Sequence, residues 1–261
     1  MNQPILELQQ IGKNFGTVIA LSGVSFKLMA GQVHCLLGDN GAGKSTLIKI
    51  LSGVHRPDHG DYLVDGKGVD FASPNQALDN GIATVYQDLA LAPLLSVARN
   101  FVLGREPLKN RFGFLPVMDL DLAASIAREG MARMGITLRN TEQMVGTMSG
   151  GERQCLAIAR AVHFGARVLI LDEPTAALGV KQSANVLRLV KRAQASGISV
   201  ILITHNVNHA FPVADHFTLL NRGKSMGSFA KSETSMAELL DMMAGGAEMK
   251  RLMADLEGVT I

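Results

Sequence analysis

The sequence has 261 residues, which is long enough for one domain with a large core and a smaller attached lobe. Charged residues make up 18% and the formal net charge is +2, so the composition does not favour nucleic acid or an anionic membrane surface as an electrostatic partner. Hydrophobic residues make up 47% and tryptophan is absent, a composition typical of an α/β protein rich in leucine, isoleucine and valine.

The two cysteines and the apolar runs bear on the compartment. Cys35 lies in an apolar strand pattern and Cys155 in a helical pattern, so both are expected to be buried thiols rather than metal ligands or a disulfide. No apolar run approaches the roughly 18 residues that a membrane-spanning helix needs. The residues Met1-Asn2-Gln3-Pro4 carry no basic-then-apolar signal. We therefore expect a cytosolic chain that contacts a membrane only through a partner.

In the first part of the chain, short apolar segments separated by turns predict strands. The predicted strands are Ile5–Leu8, Val18–Phe26, Tyr62–Val64, Val69–Phe71 and Ile82–Tyr86. The loose alternation from Val18 to Phe26 predicts that Val18 and Ala20 share a face with Val24 and Phe26. The run Lys13-Asn14-Phe15-Gly16 is predicted as a turn between the first two strands.

Helical patterns dominate the second part. Prolines interrupt residues 88–116, leaving a short helical segment near Val97–Leu103, and a longer pattern follows over Asp119–Met134, where Asp119 can cap the first turn. Further helices are predicted over Arg153–His163, Val180–Ala195 and Ser235–Met243, and strands over Val168–Leu171, Ser199–Ile203, Phe217–Leu220 and Ser225–Ser228. Strands without alternation, separated by helices, indicate a parallel sheet covered on both faces.

The strongest motif lies within residues 33–51, between an apolar run that begins at Val33 and a helical pattern that ends at Leu51. Gly38–Ser45 matches the phosphate-binding motif G-x-x-x-x-G-K-[ST]. Its glycines let the backbone turn N–H groups toward phosphate oxygens, and the following helix adds unpaired donors. Lys44 supplies a charge for the β- and γ-phosphates, and Ser45 supplies an oxygen for Mg²⁺. The predicted nucleotide-binding residues of this loop are Gly38, Asp39, Asn40, Gly41, Ala42, Gly43, Lys44, Ser45 and Thr46.

Three apolar strands end in groups that can act on a phosphate: the loop just described, Asp172-Glu173, and His205. Ligands of open α/β sheets bind at the carboxyl ends of the strands, so neighbouring placement would bring all three together. Asp172 can hold Mg²⁺ directly or through water, Glu173 can take a proton from an attacking water, and His205 can donate to the γ-phosphate. Taken singly, the acids could be solvated strand ends and His205 a turn cap. Together they favour the functional interpretation.

The run Ser149-Gly150-Gly151 opens another predicted helix, and two interpretations remain open. It can form a second anion site at a helix N-terminus, or Ser149 can be an ordinary N-cap. A glycine inside a helix costs about 1 kcal/mol relative to alanine. We therefore expect the glycine pair to have a compensating use.

In order and wording, these motifs resemble the nucleotide-binding subunits of ATP-binding-cassette (ABC) transporters. The resemblance covers residues 4–243 and rests on Gly38–Ser45, Gln87, Ser149–Gln154, Val168–Glu173 and His205. It implies an α/β P-loop NTPase fold of the ABC ATPase type, in which a mostly parallel core sheet is joined by an antiparallel β subdomain. A helical subdomain, here residues 88–164, would be inserted in the ATPase domain. Residues 244–261, with Gly245-Gly246 near their start, would form a C-terminal tail.

The resemblance also implies the cofactors and the roles of several residues. ATP and Mg²⁺ would bind, with Ser45, Gln87 and Asp172 as metal ligands. Two copies would pack head to tail as an ATP-bound homodimer, so that Ser149-Gly150-Gly151 contacts the γ-phosphate held by Lys44 of the other copy. The implied catalytic residues are Glu173, His205 and Gln87, and Gln87 would also link the site to a membrane domain.

Two positions are less regular in this comparison. Phe15 matches the aromatic residue that stacks on adenine in the family, and it could equally be a core residue. After Pro174–Leu178 the family usually has an aspartate that touches the partner domain, whereas this chain has Gly179. This departure leaves the hydrolysis residues intact and removes the side chain to which cross-dimer coupling is normally assigned.

Residues 84–107 resemble the monosaccharide-import branch, and are similar to its single-domain fructose-type subunits. That resemblance implies integral-membrane permease subunits and, indirectly, a periplasmic or extracellular sugar-binding protein as partners, with no nucleic acid. It also implies a peripheral position at the cytoplasmic face of the inner membrane. The alternatives are a soluble ABC ATPase acting on nucleic acid or ribosomes, and a nucleotide-dependent switch that does not hydrolyse ATP.

Overall fold

The structure is a computed structural model that describes residues 3–111 and 115–244. The strands are β1 (Leu6–Phe15), β2 (Val18–Leu28), β3 (Val33–Leu37), β4 (His59–Val64), β5 (Lys67–Gly68), β6 (Ile82–Val85), β7 (Leu108–Arg111), β8 (Leu115–Met118), β9 (Val168–Asp172), β10 (Ser199–Thr204), β11 (His216–Asn221) and β12 (Lys224–Ala230). The helices are α1 (Lys44–Leu51), α2 (Pro74–Asp79), α3 (Val97–Phe101), α4 (Leu120–Arg133), α5 (Gly150–His163), α6 (Val180–Ala195), α7 (Val207–Ala210) and α8 (Met236–Met243). Most of the predicted tail, residues 245–261, lies outside the described residues.

The main sheet has six strands in the order β12-β11-β3-β10-β9-β6, and only β12 pairs antiparallel with its neighbour. A second sheet, β2-β1-β4-β5, is antiparallel. The predicted fold class, α/β with a mostly parallel core sheet and an antiparallel β part, is therefore confirmed. In the main sheet β3, β10 and β9 are adjacent, so their carboxyl ends lie side by side.

The apolar strands lack alternation because both faces of the main sheet are covered. In β10, Val200 and Leu202 belong to one hydrophobic cluster, whereas Ile201 and Ile203 belong to the other. The first cluster contains the inner faces of α4, α5 and α6, and the second contains α1 and the antiparallel sheet. Successive side chains of a strand point to opposite faces, so a strand covered on both sides must be apolar at every position.

The prediction for the first two strands was wrong in two respects. β1 continues to Phe15, so the turn comes at Gly16, whose φ is +58°. The predicted strand stopped early because β1 carries polar residues at a bulge, where Gln10 has a φ of +51°. Val18 is 63% exposed instead of sharing the buried face of Val24, because the start of β2 projects beyond the core.

The region between residues 88 and 116 contains a hairpin that the sequence did not predict. β7 and β8 pair antiparallel, and within residues 3–111 and 115–244 neither pairs with a further strand; Pro116 faces Asn110 within the pair. Proline is tolerated in such an isolated two-stranded ribbon because few backbone donors need partners. Pro107 therefore directly precedes β7 and Pro116 lies inside β8, whereas Pro93 lies in a turn before α3. Over the longer stretch of residues 88–164, α3, α4 and α5 pack on one another, and α5 also contacts α6 and β6.

A chain of hydrogen-bonded polar groups, buried at His34 and Thr218 and exposed at Ser228, crosses the main sheet near its β12 edge. His34, which is 1% exposed, bonds through Nδ1 to the carbonyl of Lys27 (2.8 Å) and through Nε2 to Oγ1 of Thr218 (2.8 Å). Thr218 continues the chain to Ser228 (2.9 Å), which bonds Nε2 of His216 (3.0 Å). Burial lowers the pKa of His34 to about 3 and also lowers the pKa of His216, so the fold disfavours the charged form of both rings.

This arrangement predicts acid sensitivity with a defined sign. Between the ordinary histidine pKa near 6.5 and the folded value of about 3, the unfolded chain binds a proton at His34 that the folded chain excludes. The free energy of unfolding should therefore be highest above pH 6.5 and fall below it, by up to about 1.4 kcal/mol per pH unit from this residue. We expect His34→Gln to flatten that slope in urea denaturation between pH 7.5 and 5. The exposed control His59→Gln should keep it, and an unchanged slope in His34→Gln would refute the assignment.

Candidate functional site

The phosphate-binding loop follows β3 and has a backbone that only glycine permits at two points. Gly38 has a φ of +155° and Gly43 a φ of +102°. A Cβ on Gly38 would collide with the carbonyl oxygen of Leu220, and one on Gly43 would lie 2.9 Å from the side chain of Leu21. The glycines of the motif therefore serve both the left-handed backbone and the close packing of the loop against neighbouring strands.

Lys44 begins α1 and is 8% exposed. Its Nζ donates to the carbonyl oxygens of Gly38 (2.6 Å) and Asp39 (2.9 Å), which holds the ammonium group over the loop. Burial lowers the pKa of Lys44, and the carboxylates of Glu173, Asp39 and Asp172 oppose that effect. An ammonium group has three donors, so one remains for a ligand in the cleft above the loop.

A cleft of about 470 Å³ lies over the loop and collects most of the predicted site. Its predicted members are Asp39, Asn40, Gly41, Gly43, Lys44, Ser45, Thr46, Gln87, Asp172 and Glu173. Gly38 and Ala42 belong to the loop but do not line the cleft, and His205 reaches it only through its contact with Glu173. The ends of β3 and β9 thus line one cleft, and the end of β10 adjoins it through the contact of His205 with Glu173.

Sequence analysis missed one wall of this cleft, formed by Val18, Ile19, Ala20, Arg222 and Gly223. The turn between β11 and β12 is clamped in place, because the N–H of Gly223 donates to the carbonyl of Ala42 (3.0 Å) and its carbonyl accepts from Ser22 (2.8 Å). The run Asn221-Arg222-Gly223 between two predicted strands signals a turn. Nothing local in the sequence indicates that this turn faces the phosphate loop.

The two acids at the end of β9 have different surroundings. Burial raises the pKa of Asp172, the neighbouring Glu173 carboxylate raises it further, and Lys44 opposes both. Glu173 has a φ of +46°, a left-handed conformation that costs a non-glycine residue about 1–2 kcal/mol. This backbone turns the side chain of Glu173 away from the line of β9 and toward the end of β10.

At the end of β10 the Glu173 carboxylate is held by three donors. Oε1 accepts from the backbone N–H of His205 (3.0 Å) and from its Nδ1 (2.7 Å), and Oε2 accepts from Oγ1 of Thr204 (2.9 Å). The His205 side chain is 57% exposed and the Glu173 side chain only 12%. With Nδ1 donating to the carboxylate, Nε2 is the ring nitrogen of His205 that remains for a phosphate, and it can donate there only when the ring carries both protons.

Ser149 is the N-cap of α5, and it does not line the cleft of its own chain. Its Oγ accepts from the N–H of Glu152 (3.3 Å), whose carboxylate accepts from the N–H of Ser149 (2.8 Å). A Cβ on Gly151 would lie 3.0 Å from Cβ of Gln182, and one on Gly150 would lie 3.1 Å from Leu178. The glycine pair therefore lets α5 approach the start of α6 closely, which is one compensating use.

Two further positions that the sequence singled out, Phe15 and Gly179, do not line the cleft. Phe15 is 45% exposed, so it is not a core residue, and its ring meets that of His55 edge-on at 5.3 Å. Gly179 caps α6 with a φ of −68°, and its N–H donates to Gln182 (3.2 Å). That backbone is open to any residue, so the conformation does not require glycine at this position.

Both cysteines are buried and free, as predicted. Within residues 3–111 and 115–244 there is no cluster of three or more histidine, cysteine or acidic side chains that would hold a metal alone. In that same part of the chain, no helix has the length and apolar character needed to cross a bilayer.

Comparison with known proteins agrees with this geometry. The sequence profile described as "ABC transporter" matches residues 21–176. The chain is 42% identical over 243 residues to the xylose/arabinose import ATP-binding protein of Sulfolobus acidocaldarius, covering 93% of this chain and 95% of that protein. It is 42% identical over 252 residues to the fructose import ATP-binding protein of Rhizobium meliloti, covering 95% and 97%.

Among solved structures, a dimeric bacterial ABC transporter cassette superposes with a TM-score of 0.72 at 24% identity, over 87% of this chain and 98% of that one, which speaks to the fold. The profile spans more than half of the chain, and the two relatives align with it almost end to end. The phosphate loop and the Asp172-Glu173 pair line one cleft, and His205 contacts Glu173 at the end of β10. The chain therefore belongs to the ABC transporter family, as one of its ATP-binding ATPase subunits.

Proposed function

We propose that this ATPase subunit powers the import of a monosaccharide through separate integral-membrane permease subunits. The single observation that carries the chemical part is the convergence of the phosphate loop, Asp172 and Glu173 in one cleft. The substrate class rests on the names of the relatives. One is named for fructose and one for xylose and arabinose, at the same 42% identity, so we propose the monosaccharide class with fructose as the first candidate.

The oxygen ligands in the cleft fit Mg²⁺. Ser45 offers a hydroxyl, Asp172 a carboxylate and Gln87 an amide oxygen, and all three line the same space. Mg²⁺ takes oxygen ligands and usually binds through one or two carboxylates together with substrate phosphates and waters. When bound, it would neutralise and orient the β- and γ-phosphates. Burial and the neighbouring Glu173 raise the pKa of Asp172, and the nearby Lys44 only opposes this effect. A bound cation would supply the further positive charge that favours the Asp172 carboxylate.

The residues of the chain then divide the reaction among them. The loop N–H groups and Lys44 bind the phosphates of ATP, and Nε2 of His205 contacts the γ-phosphate. Glu173 holds a water and takes its proton as the water oxygen attacks the γ-phosphorus, after which ADP leaves. Val18 and Ile19 provide an apolar wall beside the loop, and we place the nucleoside there, near Phe15.

We propose a homodimer as the ATP-bound state. Ser149 is exposed and Gly150 partly exposed at the positive end of the 14-residue helix α5, away from the cleft of their own chain. A phosphate bound by a second copy would accept hydrogen bonds from the Ser149 hydroxyl and from the free N–H groups at the start of α5. ATP would stabilise the closed dimer more than ADP does, because only the γ-phosphate touches both copies.

The permease side is assigned to a second surface. A groove of about 460 Å³ runs between the edge strand β6 and the helices of residues 88–164, and its walls include Leu78, Tyr86, Asp88, Leu103 and Phe164. Tyr86 and Asp88 flank Gln87, which lines the nucleotide cleft. A permease segment seated in this groove would therefore contact both neighbours of Gln87 and sense ATP.

This assignment divides the chain into an ATPase domain of residues 4–243, with the helical lobe 88–164 inserted, and a tail of residues 244–261. It places the subunit at the cytoplasmic face of the inner membrane. A periplasmic or extracellular sugar-binding protein would act on the opposite side of the permease, without touching this chain.

Removing the positive charge of Lys44 should weaken ATP binding. We expect Lys44→Ala to raise the Kd for ATP by roughly tenfold or more, because a charge-assisted hydrogen bond contributes about 1.5–3 kcal/mol and about 1.4 kcal/mol is tenfold. Isothermal titration calorimetry measures this directly. Lys49→Ala, at an exposed lysine of the same helix, is the matched control and should bind like the wild type. Unchanged affinity in Lys44→Ala would count against the loop assignment.

Removing the proposed base should stop hydrolysis without removing ATP. We expect Glu173→Gln to retain ATP binding, to lose turnover by about 100-fold or more, and to run as a dimer with saturating ATP and Mg²⁺ in size-exclusion chromatography with light scattering. Glu129→Gln, on the exposed face of α4, should behave like the wild type. A monomeric Glu173→Gln protein would refute the role of Ser149 at the second copy's cleft.

The permease groove can be tested separately from catalysis. Leu78 is 38% exposed in the groove, and Met226 is 61% exposed on β12, at the opposite edge of the main sheet. We expect Leu78→Asp to reduce the amount of cognate permease that co-purifies after co-expression, since a charge in an apolar groove must be desolvated on docking. Met226→Asp should co-purify normally. Equal recovery of permease with both variants would refute the groove as the docking surface.

A further inference from the structure

Thr204, the last residue of β10, contributes a hydroxyl to the site that neither the sequence motifs nor the proposed reaction uses. It is 1% exposed, and its Oγ1 lies 2.9 Å from Oε2 of Glu173. We propose that Thr204 is a positioning residue that holds the Glu173 carboxylate so that Oε2 is the oxygen that takes the proton from the attacking water. This inference rests on the proposed role of Glu173 as the base.

The direction of the Thr204 hydroxyl is fixed by its other neighbour. The backbone N–H of Asn206 donates to Oγ1 of Thr204 at 3.1 Å. An amide N–H can only donate, so the hydroxyl accepts from Asn206 and points its own proton at Glu173. Asn206 is itself anchored as the N-cap of α7, where its side chain accepts from the N–H of His209 (3.3 Å). The hydroxyl is therefore oriented before any nucleotide binds.

The same contacts distinguish the two oxygens of the Glu173 carboxylate. Oε1 accepts two hydrogen bonds, from the N–H and from Nδ1 of His205, whereas Oε2 accepts one, from Thr204. Each carboxylate oxygen offers about two acceptor positions. Among the described contacts, Oε1 is thus filled and Oε2 keeps one position for a water.

In the proposed step, an O–H bond of the water breaks as its oxygen bonds to the γ-phosphorus. The bond from that phosphorus to the oxygen it shares with the β-phosphate breaks, and ADP leaves with the electron pair. The proton goes to Oε2 of Glu173. Thr204 remains bonded to Oε2 and fixes its open position relative to the cleft.

The backbone of Glu173 makes this aim possible. Its φ of +46° turns the residue out of the line of β9, and its N–H donates to the carbonyl of Ile203 (2.9 Å), the residue before Thr204. Both the main chain and the side chain of Glu173 are thus tied to the last residues of β10. A left-handed non-glycine residue at a candidate catalytic position persists when its surroundings hold it in place, and Thr204 is part of that support.

The test replaces the hydroxyl and keeps the shape. Thr204→Val removes the donor but retains the branched side chain, and Thr204→Ser restores the donor. We expect Thr204→Val to lower kcat for ATP hydrolysis by about tenfold to a hundredfold, as for loss of a hydrogen bond to a charged group. KM for ATP should not change, and Thr204→Ser should recover most of kcat. A wild-type kcat in Thr204→Val, or an equal loss in Thr204→Ser, would overturn the proposal.

A second readout does not depend on activity. In the nucleotide-free protein, the amide of Asn206 should exchange its hydrogen faster in Thr204→Val than in the wild type, because it loses its acceptor, and Thr204→Ser should restore slow exchange. Thr84 of β6 provides the matched control, since its buried Oγ1 has no hydrogen-bond partner within the described residues. Thr84→Val should therefore keep the wild-type kcat and melting temperature. Unaltered exchange at Asn206 in Thr204→Val would refute the hydrogen-bond assignment.

Combining variants separates this inference from the assignment of the base. On a Glu173→Gln background, Thr204→Val should cause no further loss of turnover, because the two residues act through one carboxylate. A further loss there would show that Thr204 acts elsewhere and would overturn the proposal. If Glu173→Gln hydrolyses ATP normally, the base assignment itself fails. If Glu173→Gln is inactive and Thr204→Val is not impaired, only the role of Thr204 fails.

Discussion

The parallel pairing of β3 with β10 and of β10 with β9 is the constraint on which the rest of this structure depends. It sets three strand ends side by side. Strand pairing alone therefore brings together the glycine loop, the two acids and the pair Thr204-His205. Burial on both faces keeps these strands in register, because every residue from Val200 to Ile203 contributes to one of two hydrophobic clusters. Displacement of β10 along its neighbours would move Thr204 and His205 away from Glu173.

The charged groups around the cleft partly balance one another. Lys44 lies over its own loop and donates to two carbonyls, and the acids around it offset the cost of its burial. At Asp172, burial and the neighbouring Glu173 carboxylate both disfavour the negative charge and so raise the pKa. A triphosphate bound with a cation would compensate both charges, because the phosphates would pair with Lys44 and the cation with Asp172. The side chains of the cleft are thus arranged for a triphosphate together with a cation.

The start of α5 lies away from the nucleotide cleft of its own chain, so its proposed role concerns a second copy. Ser149 is satisfied locally by its capping box with Glu152, and Gly150 and Gly151 are explained by close packing of α5 on α6. These local reasons do not compete with a role toward a second copy, because an N-cap leaves further donors of the first turn open. The groove beside β6 is a separate surface, joined to the cleft through Gln87 and its two neighbours. The two surfaces give nucleotide binding a route to both proposed partners.

The sequence by itself determined the local features that follow from residue type and short-range spacing. These include the phosphate loop of Gly38–Ser45, the helix of Val180–Ala195, and the apolar strands whose uniform burial requires a sheet covered on both faces. It did not determine β1 beyond its bulge or the hairpin of β7 and β8, because polar residues and prolines there obscure the two-residue period. Only the tertiary structure decided that Arg222 and Val18 line the cleft, and that Thr204 holds Glu173. Such contacts join residues from separate strands, and their partners are fixed by strand order and a left-handed φ, which leave no periodic trace in the chain.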